Sequence, residues 1–166
     1  MDVTWQCGDV LSGVTAQTVA RHVGSEGDAQ SATQSCVDVA GNTASNTVGT
    51  IRIDLTPPTV ACSPDPAVLW PPNNKMVDVD VSLTFTDALS GPWSFAMNQA
   101  SSSDGGTGDI AGFTVGSTSL SGSLRAKRSG NSSGRVYTLG YMGRDRAGNT
   151  AACSTEVEVP HDRSQK

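Results

Sequence analysis

Aromatic and charged side chains are scarce in this 166-residue chain. Aromatic residues make up 5% of the sequence and charged residues 16%, and the net charge at pH 7 is −5. Nucleic-acid binding requires a basic surface, so this balance disfavours it. No apolar run approaches the roughly 18 residues that span a bilayer. The sequence therefore predicts neither nucleic-acid binding nor membrane insertion.

Histidine is scarcer still, and catalytic patterns are lacking. The two histidines, His22 and His161, are isolated, and no nucleophile-elbow pattern surrounds a serine. Catalysis needs a nucleophile with a positioned base, or a paired acid and base. We therefore predict that the chain is not an enzyme. A zinc site is also disfavoured, because no two cysteines form a C-x-x-C pair.

The residues that are abundant favour strands joined by turns. Val, Thr and Ser outnumber Leu, Glu and Lys, and the chain holds 18 Gly and 8 Pro. Such a composition is poor for helices and typical of short strands. Apolar and polar residues alternate in VDVDVSLTF (77–85), RVYTLGYMG (135–143) and TEVEV (155–159), which predicts strands with one buried face. The fold class we predict is all-β.

Two short motifs occur twice, in the same order. D-x-L-S-G begins at Asp9 and at Asp87, and D-x-A-G-N-T-A begins at Asp38 and at Asp145. The two motifs are 29 positions apart in the first copy, from Asp9 to Asp38, and 58 positions apart in the second, from Asp87 to Asp145. In each motif an Asp side chain can accept backbone hydrogen bonds, and Gly or Asn can adopt a left-handed conformation. We interpret the motifs as tight turns of two related β-sandwich modules, the second with an expanded middle.

The boundary between the modules is predicted at IRIDLTPPTVAC (51–62), where two prolines form a stiff connector. This gives a first module over residues 1–54, a second over residues 55–160 and a flexible tail over residues 161–166. The first module starts directly in what should be its second strand. We expect that its first strand is missing and that the chain is a fragment of a longer protein.

The four cysteines predict two disulfides and an oxidising compartment. Cys7 lies two residues before Asp9 and Cys36 two before Asp38, while Phe85 and Gly143 occupy the matching positions of the second module. Both cysteines of a bonded pair are thus absent together, which favours Cys7–Cys36. The remaining pair is then Cys62–Cys153. The alternative pairings would tie the two modules to each other.

The motifs also resemble a known family. C-x-D-x-A-G-N-T-A (36–44) followed by I-x-I-D-x-T-P-P-T-V (51–60) resembles bacterial immunoglobulin-like repeats and the related hyaline-repeat (HYR) modules. LWPPNNKMVDV, LRAKRSG, GRVYTLGY and VPHD in the second module are similar to a C-terminal module of secreted bacterial proteins. The resemblance covers nearly the whole chain. It implies two tandem immunoglobulin-like β-sandwich modules, the first lacking its first strand, and it implies no catalytic activity.

Oxygen-bearing residues in the turns are candidate calcium ligands. Calcium takes six to eight oxygens from carboxylates, amides and carbonyls. Paired motif turns and a Gly-rich loop (101–109) could supply them from Asp9, Asp38, Asn42, Asp87, Asp145, Asn149, Asp104 and Asp109. The interpretation we favour is that each turn Asp only caps its own turn, and that the loop is a disordered surface loop. No cofactor is required on either interpretation.

Two tryptophans and three cations are the remaining candidates. Trp70, in a Pro-rich run, and Trp93 could stack on a sugar or a peptide, although the interpretation we favour for Trp70 is that it fills the open end of the core. Arg125, Lys127 and Arg128 are interpreted as a solvated strand edge, with an anion site as the alternative.

Taken together, these features predict a non-catalytic spacer. The chain would be a monomeric, extracellular or cell-surface piece of an exported bacterial protein, whose partners are neighbouring domains of the same polypeptide. Disulfides, and calcium if it binds, would stiffen it. The alternative function is an adhesion module that binds a carbohydrate or a surface protein through Trp70, Trp93 and the 101–109 loop.

Overall fold

The computed structural model describes residues 1–106, 108–130 and 133–162, and the chain within these ranges is all-β, with no helix. It divides into two compact units, Met1–Leu55 and Thr56–Lys166, which we call unit 1 and unit 2. The division lies one residue from the boundary predicted at the diproline connector. Of the predicted tail, residues 163–166 lie outside the described ranges.

No helix among the described residues has the length and apolar character needed to cross a membrane.

Unit 2 is a sandwich of two antiparallel sheets. One sheet has the order β5-β6-β9-β8 and the other the order β11-β10-β7. The strands are β5 (Thr59–Asp65), β6 (Met76–Thr86), β7 (Pro92–Ser102), β8 (Ile110–Ala111), β9 (Ser121–Arg125), β10 (Gly134–Asp145) and β11 (Thr150–Pro160). The short β8 and β9 lie in the expanded middle that the spacing of the motifs predicts.

The core of unit 2 lies between the two sheets, as the alternation of apolar residues predicts. From the first sheet it takes Val79, Val81 and Leu124, and from the second a set that includes the fully buried Tyr137, Leu139, Tyr141, Val157 and Val159. The intervening residues of β6 and β11, among them Asp78, Asp80, Glu156 and Glu158, are exposed. A period-2 pattern is what a strand with one buried face requires, and it is why these strands were identifiable from sequence.

Unit 1 is smaller and has two two-stranded antiparallel sheets, β1-β2 and β3-β4. Its strands are β1 (Asp2–Gln6), β2 (Thr18–His22), β3 (Gly27–Val37) and β4 (Thr43–Ile53). The buried residues are only Val3, Trp5, Val23, Ala32 and Ile51. A core of this size stabilises a domain weakly without a covalent link.

Each unit is closed by one disulfide, and both predicted pairings are confirmed. Cys7 bonds Cys36 in unit 1 and Cys62 bonds Cys153 in unit 2, with Cα–Cα distances of 5.6 and 5.9 Å. Cys62 belongs to β5 and Cys153 to β11, the first and last strands of unit 2. Two disulfides indicate an oxidising environment.

Phe85 and Gly143, the residues of unit 2 that match Cys7 and Cys36, also face each other. A Cβ atom added to Gly143 on β10 would lie 2.7 Å from the ring of Phe85 on β6 and 2.9 Å from Val60. The Phe85 ring thus fills the space that a disulfide occupies in unit 1, and only glycine leaves room for it. This contact supports the sequence alignment of the two units.

The two turn motifs of each unit are linked by the same backbone pairing. In unit 1 an isolated antiparallel bridge pairs Val14 with Asp38. In unit 2 the same pairing joins Pro92 with Asp145, at the start of β7. β1 of unit 1 therefore corresponds to β6, and β3 corresponds to β10. Unit 1, all of whose residues are described, has no strand that corresponds to β5.

Candidate functional site

The D-x-A-G-N-T turn of unit 2 is organised around a fully buried carboxylate. Asp145, which ends β10, has no exposed surface. Its Oδ1 accepts hydrogen bonds from the backbone N–H groups of Gly148 (2.6 Å) and Asn149 (2.8 Å), and its Oδ2 accepts one from the Asn149 side-chain amide (2.9 Å). Gly148 has φ +101°, a left-handed conformation that glycine adopts without strain. Asp145 is thus the cap of its own turn.

The matching turn of unit 1 repeats this geometry in a more exposed setting. Asp38 accepts hydrogen bonds from the backbone N–H and the side-chain amide of Asn42, each at 2.7 Å. The Asn42 side-chain amide is the main reason that the pKa of Asp38 lies below its ordinary value. In both turns the Asn nitrogen faces the carboxylate, so the Asn acts as a donor to the Asp.

The two D-x-L-S-G turns are capped in the same way. Oδ2 of Asp9 accepts backbone hydrogen bonds from Ser12 (2.6 Å), Leu11 and Gly13 (3.0 Å each), and these bonds, that from Ser12 foremost, lower the pKa of Asp9. In unit 2, Oδ1 of Asp87 accepts a hydrogen bond from the Gly91 N–H at 2.6 Å. Such side-chain to backbone bonds are the ordinary use of Asp in turns.

The carboxylates of unit 2 still come close together, as the repeat predicts. A carboxylate oxygen of Asp87 lies within 4.8 Å of one of Asp145. Calcium would need at least two further oxygens even if both carboxylates were bidentate, and the hydrogen bonds that each Asp accepts from its own turn compete with a cation. For Asn42 and Asn149 the expected ligand role does not fit this geometry, because the amide nitrogens point at the carboxylates.

The carboxylates of the Gly-rich loop form ion pairs with two arginines on neighbouring strands. Asp109 is buried and bridges both guanidinium groups: Nε of Arg125 donates to its Oδ1 at 2.7 Å, and Nη1 of Arg135 donates to its Oδ2 at 2.6 Å. Asp104 accepts a hydrogen bond from Nε of Arg135 at 3.0 Å. A cation bound to these carboxylates would meet two positive charges, which disfavours calcium at Asp104 and Asp109 on electrostatic grounds. Calcium binding at these two residues stays a prediction. Thr107 of this loop lies outside the described residues.

Arg135 is the centre of this buried network. Its side chain is 4% exposed, and it donates a third hydrogen bond to the Tyr137 hydroxyl, which in turn donates to the Arg125 carbonyl. Burial alone would lower the pKa of Arg135, but the hydrogen bonds that Arg135 donates to Tyr137, Asp109 and Asp104 outweigh it and hold the pKa above its ordinary value. Burial also raises the pKa of Tyr137. The network fixes the loop to β10 and β9.

The three cations predicted to form a solvated strand edge behave differently from one another. Arg125 is paired with Asp109, whereas Lys127 is exposed. The guanidinium of Arg128 donates a 3.4 Å hydrogen bond to the Ser129 carbonyl. A shallow cavity of about 420 Å³ lies beside Lys127 and Arg128, and none of its lining residues is a buried ligand-binding group.

Neither tryptophan of unit 2 belongs to the core. Trp70 is 41% exposed, and the side chain that fills the core at this point is Leu69, which is 1% exposed and whose N–H donates to the Glu158 carbonyl. The interpretation of Trp70 as the core plug is therefore wrong by one residue. Trp93 is 64% exposed and its ring lies 5.6 Å from the guanidinium carbon of Arg144.

Sequence reasoning missed the two arginines that organise these sites. Arg135 shares its β10 face with Tyr137 and Leu139, so the alternation in GRVYTLGY already carried the signal of an inward-facing cation. Arg144 lies on the opposite face and gave no comparable signal. Its contact with Trp93 depends on the pairing of β7 with β10.

Comparison with known proteins adds no assignment. No family model, no curated protein and no solved structure matches the chain.

Proposed function

We propose that the chain is a pair of immunoglobulin-like modules that serve as a non-catalytic spacer in a larger exported bacterial protein. The strand order of unit 2 supports this: β5-β6-β9-β8 and β11-β10-β7 match the ABED and GFC sheets of constant-type immunoglobulin domains. The correspondence of β1 with β6 and of β3 with β10 favours a second module of the same kind in unit 1. Folds of this class carry many functions, so the spacer role is argued from the disulfides.

The observation that carries the proposal is the position of the disulfides along the chain. Cys7–Cys36 closes a loop of 29 residues and Cys62–Cys153 one of 91. When the chain is pulled from its ends, tension passes through each disulfide and bypasses the residues between the two cysteines. About half of unit 1 and most of unit 2, including the β6–β10 core, are then shielded from force. This is a useful property for a segment that holds other domains at a distance.

The non-catalytic part of the proposal is argued from the histidines and the buried charged groups of the described residues. Nδ1 of His22 lies 2.6 Å from Oδ1 of Asp2, and Nδ1 of His161 lies 3.8 Å from Oδ2 of Asp162. All four side chains are exposed. The buried Asp109, Arg135 and Asp145 are each saturated with partners inside the fold. With disulfides that favour an oxidising compartment, these features fit an extracellular or surface-attached spacer.

Single-molecule force spectroscopy of the whole chain tests the proposal. Pulled from its two ends, the oxidised chain should release a shorter contour length than the reduced chain by roughly 10 nm for unit 1 and roughly 32 nm for unit 2, at about 3.5 Å per residue. The Cys62→Ser/Cys153→Ser variant should release the longer unit 2 length without reductant. Equal lengths in oxidised and reduced chains would refute the shielding argument and with it the spacer role.

A further inference from the structure

The outer face of the β11-β10-β7 sheet carries an open groove of about 580 Å³. Its lining is mostly apolar, with a few polar groups, and includes Ala96, Asn98, Val115, Met142, Arg144 and Thr150. Met142 and Val115 are 44% and 58% exposed, which is high for large apolar side chains. Apolar walls with a few polar groups are typical of ligand sites.

One end of the groove is formed by an oriented cation. The guanidinium of Arg144 is held over the exposed Trp93 ring at 5.6 Å. On another side it is flanked by Gly148, where a Cβ atom would lie 3.2 Å from a guanidinium nitrogen. Arg144 forms no ion pair with any residue of the described ranges, so its charge and its donors remain available to a ligand. A stacked guanidinium is well suited to bind a carboxylate through two hydrogen bonds.

The surroundings make this cation selective for a particular kind of anion. The chain as a whole carries a net charge of −5, so it repels polyanions that offer charge alone. A ligand must therefore gain affinity from the apolar wall as well as from Arg144. A sugar ring with a carboxylate combines an apolar C–H face for Met142 and Val115 with an anion for Arg144 and hydroxyls for Asn98. Trp93 does not line the groove, and its part is to hold the Arg144 guanidinium in place.

An acidic peptide fits the groove less well. A peptide that binds a sheet edge adds a strand and needs free backbone groups. At the middle of β7 these are occupied: the Met97 N–H donates to the Ser117 carbonyl and the Met97 carbonyl accepts from the Gly116 N–H, each at 2.8 Å. Segment 114–117 thus covers the edge that a peptide strand would use.

We propose that this groove binds an acidic oligosaccharide, with the sugar carboxylate on Arg144, which Trp93 holds in place, and a ring face on Met142 and Val115. Unit 1 lacks the pair, because Thr15 and Val37 occupy the positions that match Trp93 and Arg144. The binding site is therefore a property of unit 2. It goes beyond a spacer role, since a spacer needs no such pair.

Titration of the intact oxidised chain with oligogalacturonate at low ionic strength tests the proposal, with binding followed by calorimetry. Arg144→Gln and Trp93→Ala should each weaken binding about tenfold or more, as expected for loss of a charge-assisted hydrogen bond or of the ring that holds its donor in place. A neutral galacto-oligosaccharide of the same length should bind at least about tenfold more weakly.

Two matched variants act as controls. Arg52→Gln removes an exposed cation of unit 1, and Trp70→Ala removes the other exposed tryptophan of unit 2; neither should change affinity more than about twofold. The proposal is overturned if oligogalacturonate does not bind at millimolar concentration, if the controls lose as much affinity as the groove variants, or if poly-glutamate binds as tightly as the sugar and without dependence on Trp93.

Discussion

Replacing the carboxylate that bridges two arginines in unit 2 should destabilise that unit strongly. In Asp109→Asn the side chain keeps its size but loses its charge, which leaves the guanidinium of Arg135, 4% exposed, without its closest counter-ion. Breaking a buried ion pair by removing one partner costs about 3–5 kcal/mol. Arg135 retains Asp104 and the Tyr137 hydroxyl, so we expect a loss near the lower end, about 3 kcal/mol.

Urea denaturation followed by the amide signals of β10 measures this loss, because those amides report on unit 2 alone. With an m-value of about 2 kcal/mol/M, the urea concentration at the unfolding midpoint should fall by roughly 1.5 M. Asp78→Asn is the matched control: Asp78 is exposed and accepts a hydrogen bond from the Ser123 hydroxyl at 2.7 Å. Its stability should change by less than about 0.5 kcal/mol.

The effect has a predicted pH dependence and a predicted rescue. The hydrogen bond from Arg135 leads the interactions that lower the pKa of Asp109, so its contribution is complete above the unfolded pKa of about 4 and is lost as pH falls through the lower folded value. The difference between wild type and Asp109→Asn should therefore shrink in acid. The double variant Asp109→Asn/Arg135→Met should recover about 1 kcal/mol or more, because the uncompensated charge is gone.

Three outcomes would refute this reasoning. In the first, the free energy of unfolding of Asp109→Asn lies within about 1 kcal/mol of the wild-type value, as that of Asp78→Asn does. Its stability difference from wild type would persist unchanged below the unfolded pKa of the carboxyl. The Arg135→Met addition would lower stability further instead of restoring it. Each would mean that the network is solvated and that the cost of burying Arg135 has been overstated.

Three further predictions concern the covalent link, the core and the turns. Cys62→Ser/Cys153→Ser should lower the stability of unit 2 by about 4.6 kcal/mol from loop-closure entropy, measured by urea denaturation; a loss below about 1 kcal/mol would contradict this. Gly143→Ala should cost about 1–3 kcal/mol through overpacking against Phe85, part of it relieved by Phe85→Leu, whereas Gly130→Ala, also in unit 2 but in open space, should be nearly neutral by the same assay. Thermal melts in EDTA and in millimolar calcium should share one midpoint, because the turn carboxylates already bind their own backbone; a rise of several degrees in calcium would instead reveal a metal site.

The local features of this chain could be predicted from its sequence because they depend on neighbouring residues. The turn around Asp145 needs only an acceptor, a glycine and an asparagine in sequence, and both copies of the motif fold as predicted. Strand faces follow from a period of two, which the residues of β6 display without interruption. The disulfides were predictable because two modules of one chain could be compared, and Phe85 with Gly143 marked the bond that unit 2 lacks.

The contacts between side chains distant in sequence could not be predicted from the sequence. Which of the predicted calcium carboxylates would meet an arginine depends on how the 101–109 loop lies against β9 and β10, 16 and 26 residues away from Asp109. A shift of one residue also decided which side chain fills the core, Leu69 or Trp70, since neighbouring positions in extended chain point in opposite directions.

The sequence by itself determined an all-β chain of two units, the turns that end their strands and the two disulfides, because periodicity, turn chemistry and cysteine spacing act locally or repeat within the chain. Only the tertiary structure decided that Asp109 bridges Arg125 and Arg135, and that Trp93 carries Arg144 at the end of an open groove. These contacts arise from strand pairing across dozens of residues, where backbone hydrogen bonds set the register and the side chains meet whatever that register brings beside them.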